Sequence, residues 1–263
     1  MLEVREVTVV FNGGTVNEKT ALDHVSLTLE AGDFATVIGS NGAGKSTLLG
    51  AIAGSLPLSA GQIVLDGQDM TRMKEHRRSH AIGRLFQDPL KGTAPTMTIE
   101  ENLGLAYSRG KRRSLQLGVS RKDEQFFYDL LKSLNLGLED RMKTPAGHLS
   151  GGQRQALTLL MATVVTPKLL LLDEHTAALD PRTAQAIMEL TQRIIERDQI
   201  TTLMITHNIE NALAYGNKTI VMNEGRILHI YSGEERRRLS VKDVMALYES
   251  EHAALSDRTI LGR

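Results

Sequence analysis

The sequence has 263 residues, 31 basic and 31 acidic side chains, and no cysteine. This length accommodates one large α/β domain or two small ones. The balanced charge argues against a nucleic-acid-binding protein that relies on broad attraction to phosphates, and the absence of cysteine excludes disulfides, thiolate zinc sites and cysteine nucleophiles.

Neither a signal peptide nor a membrane helix is predicted. Residues 1–14 contain acidic side chains and alternate as a strand does, unlike the basic and then apolar layout of a signal peptide. No apolar run approaches the roughly 20 residues that a membrane helix needs. We therefore expect a protein that would serve a membrane process only from its surface.

Apolar periodicity and turn residues predict strands that alternate with helices. The first elements are strands at 2–11, 26–30 and 33–38, a helix at 47–54, and strands at 62–65 and 82–86. A helical insertion follows over 88 to about 160, with helices at 98–107, 122–136 and 150–165 and a basic, loop-like stretch at 110–118. The remaining elements are strands at 168–172, 201–205, 218–222 and 226–231, and helices at 182–197, 209–215 and 241–251, after which the last dozen residues are expected to fray. The alternation implies parallel βαβ units.

A glycine-rich loop follows the third strand and opens the first helix. It reads Gly39-Ser40-Asn41-Gly42-Ala43-Gly44-Lys45-Ser46-Thr47, and its first eight residues fit the pattern G-x-x-x-x-G-K-[ST]. Glycines let the backbone approach phosphate oxygens, and amides at a helix N-terminus supply positive potential. Lys45 should reach the β- and γ-phosphates, and the Ser46 hydroxyl should ligate Mg²⁺. The loop predicts nucleotide binding without choosing among kinases, GTPases and ATPases; a chance glycine turn is the plainer alternative.

An acidic pair follows a fully apolar run. Leu169–Leu172 suits a buried parallel strand, and ligands of open α/β sheets bind at the carboxyl ends of such strands. We predict that Asp173 holds Mg²⁺ through its water shell and that Glu174 orients or deprotonates the attacking water. The alternative is a surface turn.

A second serine- and glycine-containing turn precedes a helix at Leu149-Ser150-Gly151-Gly152-Gln153. Ser150 can cap the helix, and the two glycines expose backbone amides to an oxygen-rich ligand. If two copies face each other head to tail, this turn of one copy covers the γ-phosphate bound to the other. An N-cap with a flexible entry is the plainer interpretation.

With these motifs in this order, the sequence resembles the ATP-binding subunits of ABC transporters over residues 2–235. The resemblance implies a P-loop NTPase (RecA-like) α/β core with a parallel sheet, an antiparallel β subdomain and an α-helical subdomain of the ABC type. It places the ATPase domain at 1–240, with the helical subdomain at approximately 88–160, and a short C-terminal helix and tail at 241–263. It also implies an ATPase that uses ATP and Mg²⁺.

The resemblance assigns roles to further residues. Gln87 in LFQDP matches a glutamine that contacts Mg²⁺ or the water, and Asp180 in AALDP matches an aspartate that crosses the dimer. His207 in MITHN matches a histidine that contacts the γ-phosphate, and Phe11 stands where an aromatic ring stacks on adenine. Residues 150–153 and Asp180 are thus expected to bind nucleotide held by the partner copy. The alternatives are a turn residue for Gln87, an N-cap for Asp180, a structural histidine for His207 and a core side chain for Phe11.

One position departs from the family, which often has proline after the catalytic glutamate. His175 stands there, and we expect it to shape the following loop rather than to act as a second base.

The resemblance implies a head-to-tail ATP-sandwich dimer, a membrane permease and an extracytoplasmic solute-binding protein, with the chain on the cytoplasmic face of the membrane. Import is favoured over export because many exporters fuse their membrane and ATPase parts. The segments 92–118 and 173–181 are similar to importer ATPases for tryptophan or tyrosine. A soluble ABC ATPase, such as an iron–sulfur-assembly subunit, and an exporter ATPase remain alternatives. The basic runs 111–113 and 236–238 could touch lipid headgroups or a permease, or be solvated surface.

Overall fold

The computed structural model describes residues 1–109 and 119–248. In chain order the elements are β1 (Leu2–Phe11), β2 (Lys19–Leu29), β3 (Phe34–Gly39), α1 (Lys45–Ala53), β4 (Ala60–Leu65), β5 (Gln68–Asp69), α2 (Glu75–Arg78), β6 (Ile82–Leu85), α3 (Ile99–Tyr107), α4 (Arg121–Lys132), α5 (Gly151–Thr163), β7 (Leu169–Asp173), α6 (Pro181–Asp198), β8 (Thr201–Ile205), α7 (Ile209–Ala214), β9 (Lys218–Asn223), β10 (Arg226–Ser232) and α8 (Gly233–Arg238). A further helix begins at residue 241 and is described to residue 248. None of the helices in these ranges is long and apolar enough to cross a bilayer.

The chain divides into two compact units. The first consists of residues 1–52 and 56–71 and of those from 203 onward. It contains an antiparallel sheet in the order β2-β1-β4-β5. It also contains β3, which runs parallel to β9, while β9 is antiparallel to β10. Strand β3 is almost wholly buried, as an apolar strand in a parallel arrangement should be.

The second unit consists of residues 53–55 and 72–202. Its strands β6 and β7 are parallel, with Leu85 opposite Leu172. The four leucines of β7 are fully buried, which explains why this strand carries no alternating polar residues. Helix α3 begins at a capping box in which Thr98 and Glu101 bond reciprocally.

Several predicted boundaries move for local reasons. Strand β2 begins at Lys19 rather than 26, since irregular pairing with β1 and the positive φ of His24 break its alternation. Helix α4 ends at Lys132 rather than 136, because Asn135 and Gly137 adopt left-handed conformations. The short elements β5, α2 and α8 were not predicted. The stretch 110–118, the run 111–113, the end of the last predicted helix and the fraying tail lie outside the described residues.

Candidate functional site

In the first unit, the loop between β3 and α1 has no room for side chains at two of its glycines. A Cβ on Gly39 would lie 2.5 Å from the carbonyl oxygen of Met222, and one on Gly44 would lie 2.7 Å from the carbonyl oxygen of Ala21. Gly44 also has a φ of 94°, in the region that favours glycine. Packing and backbone conformation together therefore require the glycines that the motif contains.

Lys45 folds back over this loop. Its side chain is 7% exposed, and its ammonium donates to the carbonyl oxygens of Gly39 at 2.7 Å and Ser40 at 3.0 Å. Ser46 is exposed in the first turn of α1. Asn41 and Gly42 are also exposed, whereas Ala43 is buried and Thr47 half-buried. A cation, an exposed serine and the N-terminus of α1 thus lie together where an anion could bind.

The loop rests on a turn that the sequence reasoning missed. The Ser40 hydroxyl donates to the side-chain oxygen of Asn223 at 3.2 Å, and the Gly225 amide donates to the Ala43 carbonyl at 3.1 Å. The available signal was the sequence Asn-Glu-Gly, which begins with the last residue of β9. This turn therefore supports the loop at Ser40 and Ala43.

Phe11 and His207 are exposed positions of the same unit. Phe11 ends β1 opposite Lys19 and is 38% exposed, which does not fit a core side chain. His207 follows buried Thr206, whose hydroxyl accepts a bond from the Asn208 amide at 3.1 Å. Asn208 in turn caps α7. The local hydrogen bonds therefore hold the backbone around His207 in a defined turn.

In the second unit, Gln87 and Asp173 line one open pocket of about 650 Å³. Gln87 follows β6 and is exposed, and the next residue, Asp88, accepts a bond from the Leu90 amide at 2.9 Å. Arg84 and Lys91 also line this pocket. The Gln87 amide and the Asp173 carboxylate therefore face one space, which is also lined by two cations and by the carboxylates of Glu75 and Asp88.

Glu174, directly after β7, has a φ of 45°, which is uncommon for a residue with a side chain. Its neighbour His175 is 2% exposed, and the imidazole Nε2 lies 3.2 Å from the Thr191 hydroxyl. Burial lowers the pKa of His175 from its usual 6.5 to about 4. His175 is therefore a buried, neutral side chain that packs against α6.

Helix α5 begins with the predicted cap. The Ser150 hydroxyl accepts from the Gln153 amide and the Gln153 side chain accepts from the Ser150 amide, both at 3.3 Å. Ser150 and Gly151 are exposed. A Cβ on Gly152 would lie 2.4 Å from the Thr183 methyl group, so this glycine also permits close packing against α6.

Asp180 caps α6 by accepting from the Thr183 amide at 3.1 Å. Hydrogen bonds from Thr183 lower the pKa of the Asp180 carboxyl, so it is ionised. Within a single chain, Asp180 therefore acts as an N-cap, which was the alternative to its role across the dimer. Its side chain remains exposed.

The site residues fit a magnesium nucleotide. Mg²⁺ prefers oxygen ligands and usually binds through one or two protein groups together with phosphates and water. The Ser46 hydroxyl in the first unit and the Asp173 carboxylate in the second are each a ligand of that kind, and the crowding at Gly39 and Gly44 means that no side chain fits at those two positions of the loop. Among residues 1–109 and 119–248, no group of three or more His, Asp or Glu side chains is placed to hold a metal ion by itself.

Comparison with known proteins gives consistent matches. Residues 22–177 match the family model described as ABC transporter. A tyrosine transport ATP-binding protein of Clostridioides difficile (strain R20291) is 40% identical over 249 residues, 95% of this chain and 99% of that protein. The thiamine import ATP-binding protein ThiQ of Shigella flexneri serotype 5b (strain 8401) is 33% identical, over 82% of this chain and 88% of that one. A dimeric structure of an ATP-binding cassette in a post-hydrolysis state with ADP and Pi has a TM-score of 0.76 at 27% identity, covering 88% of this chain and 98% of that chain.

Proposed function

The chain belongs to the ABC transporter family of ATP-binding proteins, and on that premise we propose that two copies close head to tail around ATP and drive import of a small solute through a separate permease. The chain is an ATPase subunit of a transporter. The curated relatives named above are ATP-binding proteins of a tyrosine transport system and a thiamine import system. The name of the thiamine relative supports import as the direction of transport.

One observation carries the shared-site proposal: a single chain presents two separate places suited to an anion. The glycine loop with Lys45 belongs to the first unit, and the exposed start of α5 at Ser150 and Gly151 belongs to the second. In the head-to-tail arrangement, the loop of one copy holds the triphosphate and the α5 start of the other covers its γ-phosphate. A related cassette solved as a dimer with ADP and Pi supports this arrangement.

We assign the binding and hydrolysis of ATP to the following residues. Lys45 binds the β- and γ-phosphates, with the amides of residues 40–47 around them, and Phe11 stacks on adenine. Glu174 orients or deprotonates the attacking water, and His207 contacts the γ-phosphate. From the partner copy, residues 150–153 cap the γ-phosphate, and Asp180 reaches across the dimer. Gln153 contributes indirectly, because its side chain already completes the α5 cap.

Mg²⁺ would be held by the Ser46 hydroxyl, by Asp173 through its water shell, and by Gln87 directly or through water. When bound, the ion neutralises charge on the phosphate oxygens. The pocket shared by Gln87 and Asp173 supports placing their oxygen atoms on one ion.

The partners follow from the family. We place the chain on the cytoplasmic face of the membrane, docked on a permease that works with an extracytoplasmic solute-binding protein. A second pocket of about 230 Å³, lined by Arg84, Phe86, Lys91 and Arg109 among others, is the surface near Gln87 that would receive the permease. The tyrosine transport relative supports an aromatic amino acid as the cargo.

The shared site can be tested with a charge at the α5 start. Glu174→Gln should give a dimer with ATP that size-exclusion chromatography detects. Adding Ser150→Asp keeps a good helix cap but places a carboxylate against the γ-phosphate, so the dimer should disappear while each chain still binds labelled ATP. Ser120→Asp is the control, because Ser120 also caps a helix, α4.

A Glu174→Gln/Ser150→Asp protein that dimerises with ATP as well as Glu174→Gln would refute the shared site. Loss of the dimer in the Ser120→Asp control would mean that a new charge at a helix start is enough to disrupt it.

A further inference from the structure

The backbone at Glu174 is held in a costly conformation. A left-handed φ is unfavourable for a residue with a side chain, and such conformations persist only when the surrounding structure imposes them. Glu174 has a φ of 45° and follows the fully buried leucines of β7. On its other side, its carbonyl accepts from the Ala177 amide at 2.9 Å. The direction of its side chain therefore depends on what anchors the residues that follow β7.

His175 is that anchor, and its hydrogen bond has a defined direction. The Thr191 hydroxyl donates to the carbonyl of Ile187 at 2.8 Å. A hydroxyl has a single hydrogen, so towards His175 Thr191 can only accept. The imidazole must therefore carry its proton on Nε2 and donate it across 3.2 Å to Thr191. Both side chains are buried, His175 at 2% and Thr191 at 0% exposure, so water cannot easily replace this bond.

We propose that His175 is a positioning residue, whose hydrogen bond to Thr191 on α6 holds the Glu174 carboxylate in the orientation that ATP hydrolysis requires. The inference rests on the proposed role of Glu174. The hydrogen bond links His175, the neighbour of Glu174, to the middle of α6. No ligand contact is predicted for that part of α6. Because the link acts on the water-activating group and not on the phosphate loop, it should affect turnover and leave ATP binding unchanged.

Thr191→Val removes the acceptor and keeps the shape of the side chain. We expect kcat for ATP hydrolysis to fall about tenfold, because small displacements of a catalytic group have effects of that order or larger. The dissociation constant for ATP should change less than about twofold. Thr191→Ser keeps a hydroxyl and should restore kcat.

Thr163→Val is the matched structural control. Thr163 is a buried threonine in α5, and its hydroxyl donates to the carbonyl four residues earlier, that of Leu159 at 2.8 Å, as Thr191 does to Ile187. It should lose similar stability in urea unfolding and keep the wild-type kcat. An equal loss of kcat in Thr163→Val, or an unchanged kcat in Thr191→Val, would overturn the positioning role.

The ring nitrogens provide a readout independent of activity. Nitrogen NMR of the folded wild-type protein should show His175 protonated at Nε2 and unprotonated at Nδ1; the opposite tautomer would contradict the hydrogen bond. A wild-type protein that does not hydrolyse Mg-ATP would refute the proposed function itself. An active wild type with an unaffected Thr191→Val variant would refute only the positioning role.

Discussion

The ammonium nitrogen of Lys45 lies 2.7 Å from the carbonyl oxygen of Gly39, so a hydrogen bond joins the first and seventh residues of the glycine loop. A bound triphosphate would offer this ammonium charged oxygens instead of neutral carbonyls, and charge-assisted hydrogen bonds are roughly twice as strong. The lysine is therefore already placed inside the loop that would bind phosphate.

Lys45→Ala should abolish ATP binding, because the loop loses the cation that its amides cannot replace. Equilibrium titration with a labelled nucleotide measures the effect. Lys122→Ala, an exposed lysine in α4, is the control and should bind as the wild type does. Affinity within a few-fold of the wild type in Lys45→Ala would exclude the assigned contact.

Gly44→Ala should destabilise the protein by about 2–4 kcal/mol, combining the cost of a left-handed alanine with that of crowding against Ala21. Gly67→Ala separates the two causes. Gly67 has a φ of 74°, but a Cβ there meets nothing within 4 Å, so this variant should lose only about 1 kcal/mol. Urea unfolding of both variants checks the difference, and equal losses would show that crowding is unimportant.

Glu174→Gln should bind ATP and turn it over very slowly, since the amide cannot act as a base. A phosphate-release assay at saturating ATP measures the rate. Glu189→Gln, an exposed position on α6, should keep normal turnover. Near-normal turnover in Glu174→Gln would remove Glu174 from the catalytic role.

Buried His175 should make stability fall as the pH drops from 6.5 towards 4. The unfolded chain takes up a proton near pH 6.5, whereas the folded protein does so only near pH 4, so the contribution is present above 6.5 and lost between the two values. At pH 5 the loss should reach about 2 kcal/mol. Urea unfolding without nucleotide at pH 7.5 and 5 measures it.

Two histidine variants identify the source of that pH dependence. His175→Gln should be less stable at pH 7.5 but should show a weaker decline on acidification. His80→Gln, at an exposed position, should decline as the wild type does. An unaltered decline in His175→Gln would assign the effect to other groups.

The basic run 236–238 contains two different kinds of arginine. Arg236 donates to the carbonyls of Ala212 at 3.1 Å, Leu213 at 3.3 Å and Tyr215 at 2.5 Å, and so closes the end of α7. Arg237 is exposed and pairs with Glu234. Arg236→Ala should cost about 2 kcal/mol in urea unfolding, whereas Arg237→Ala should be nearly neutral. Equal effects would mean that Arg236 is also only surface charge.

Local patterns predicted most strands and helices, and long-range contacts account for what they missed. Short stretches of sequence are enough to predict the glycine loop, the apolar run of β7 and the caps at Ser150 and Asp180. The contact between Gly39 and Met222 joins residues far apart in the chain, so no local pattern signals it. The bond between His175 and Thr191 was missed for a related reason: spacing along a helix does not show which buried polar side chain lies opposite.

The serine at the start of α5 has one bonding capacity that its helix does not use. A hydroxyl has two lone pairs and one hydrogen; the Gln153 amide occupies one lone pair, and the hydrogen is not needed for that bond. Capping therefore leaves Ser150 able to donate outward. Aspartate and glycine also start helices well, but neither side chain offers a hydrogen. Selection for helix stability alone would accept serine, aspartate and glycine. Selection for a hydrogen-bond donor at the start of α5 would reject aspartate and glycine.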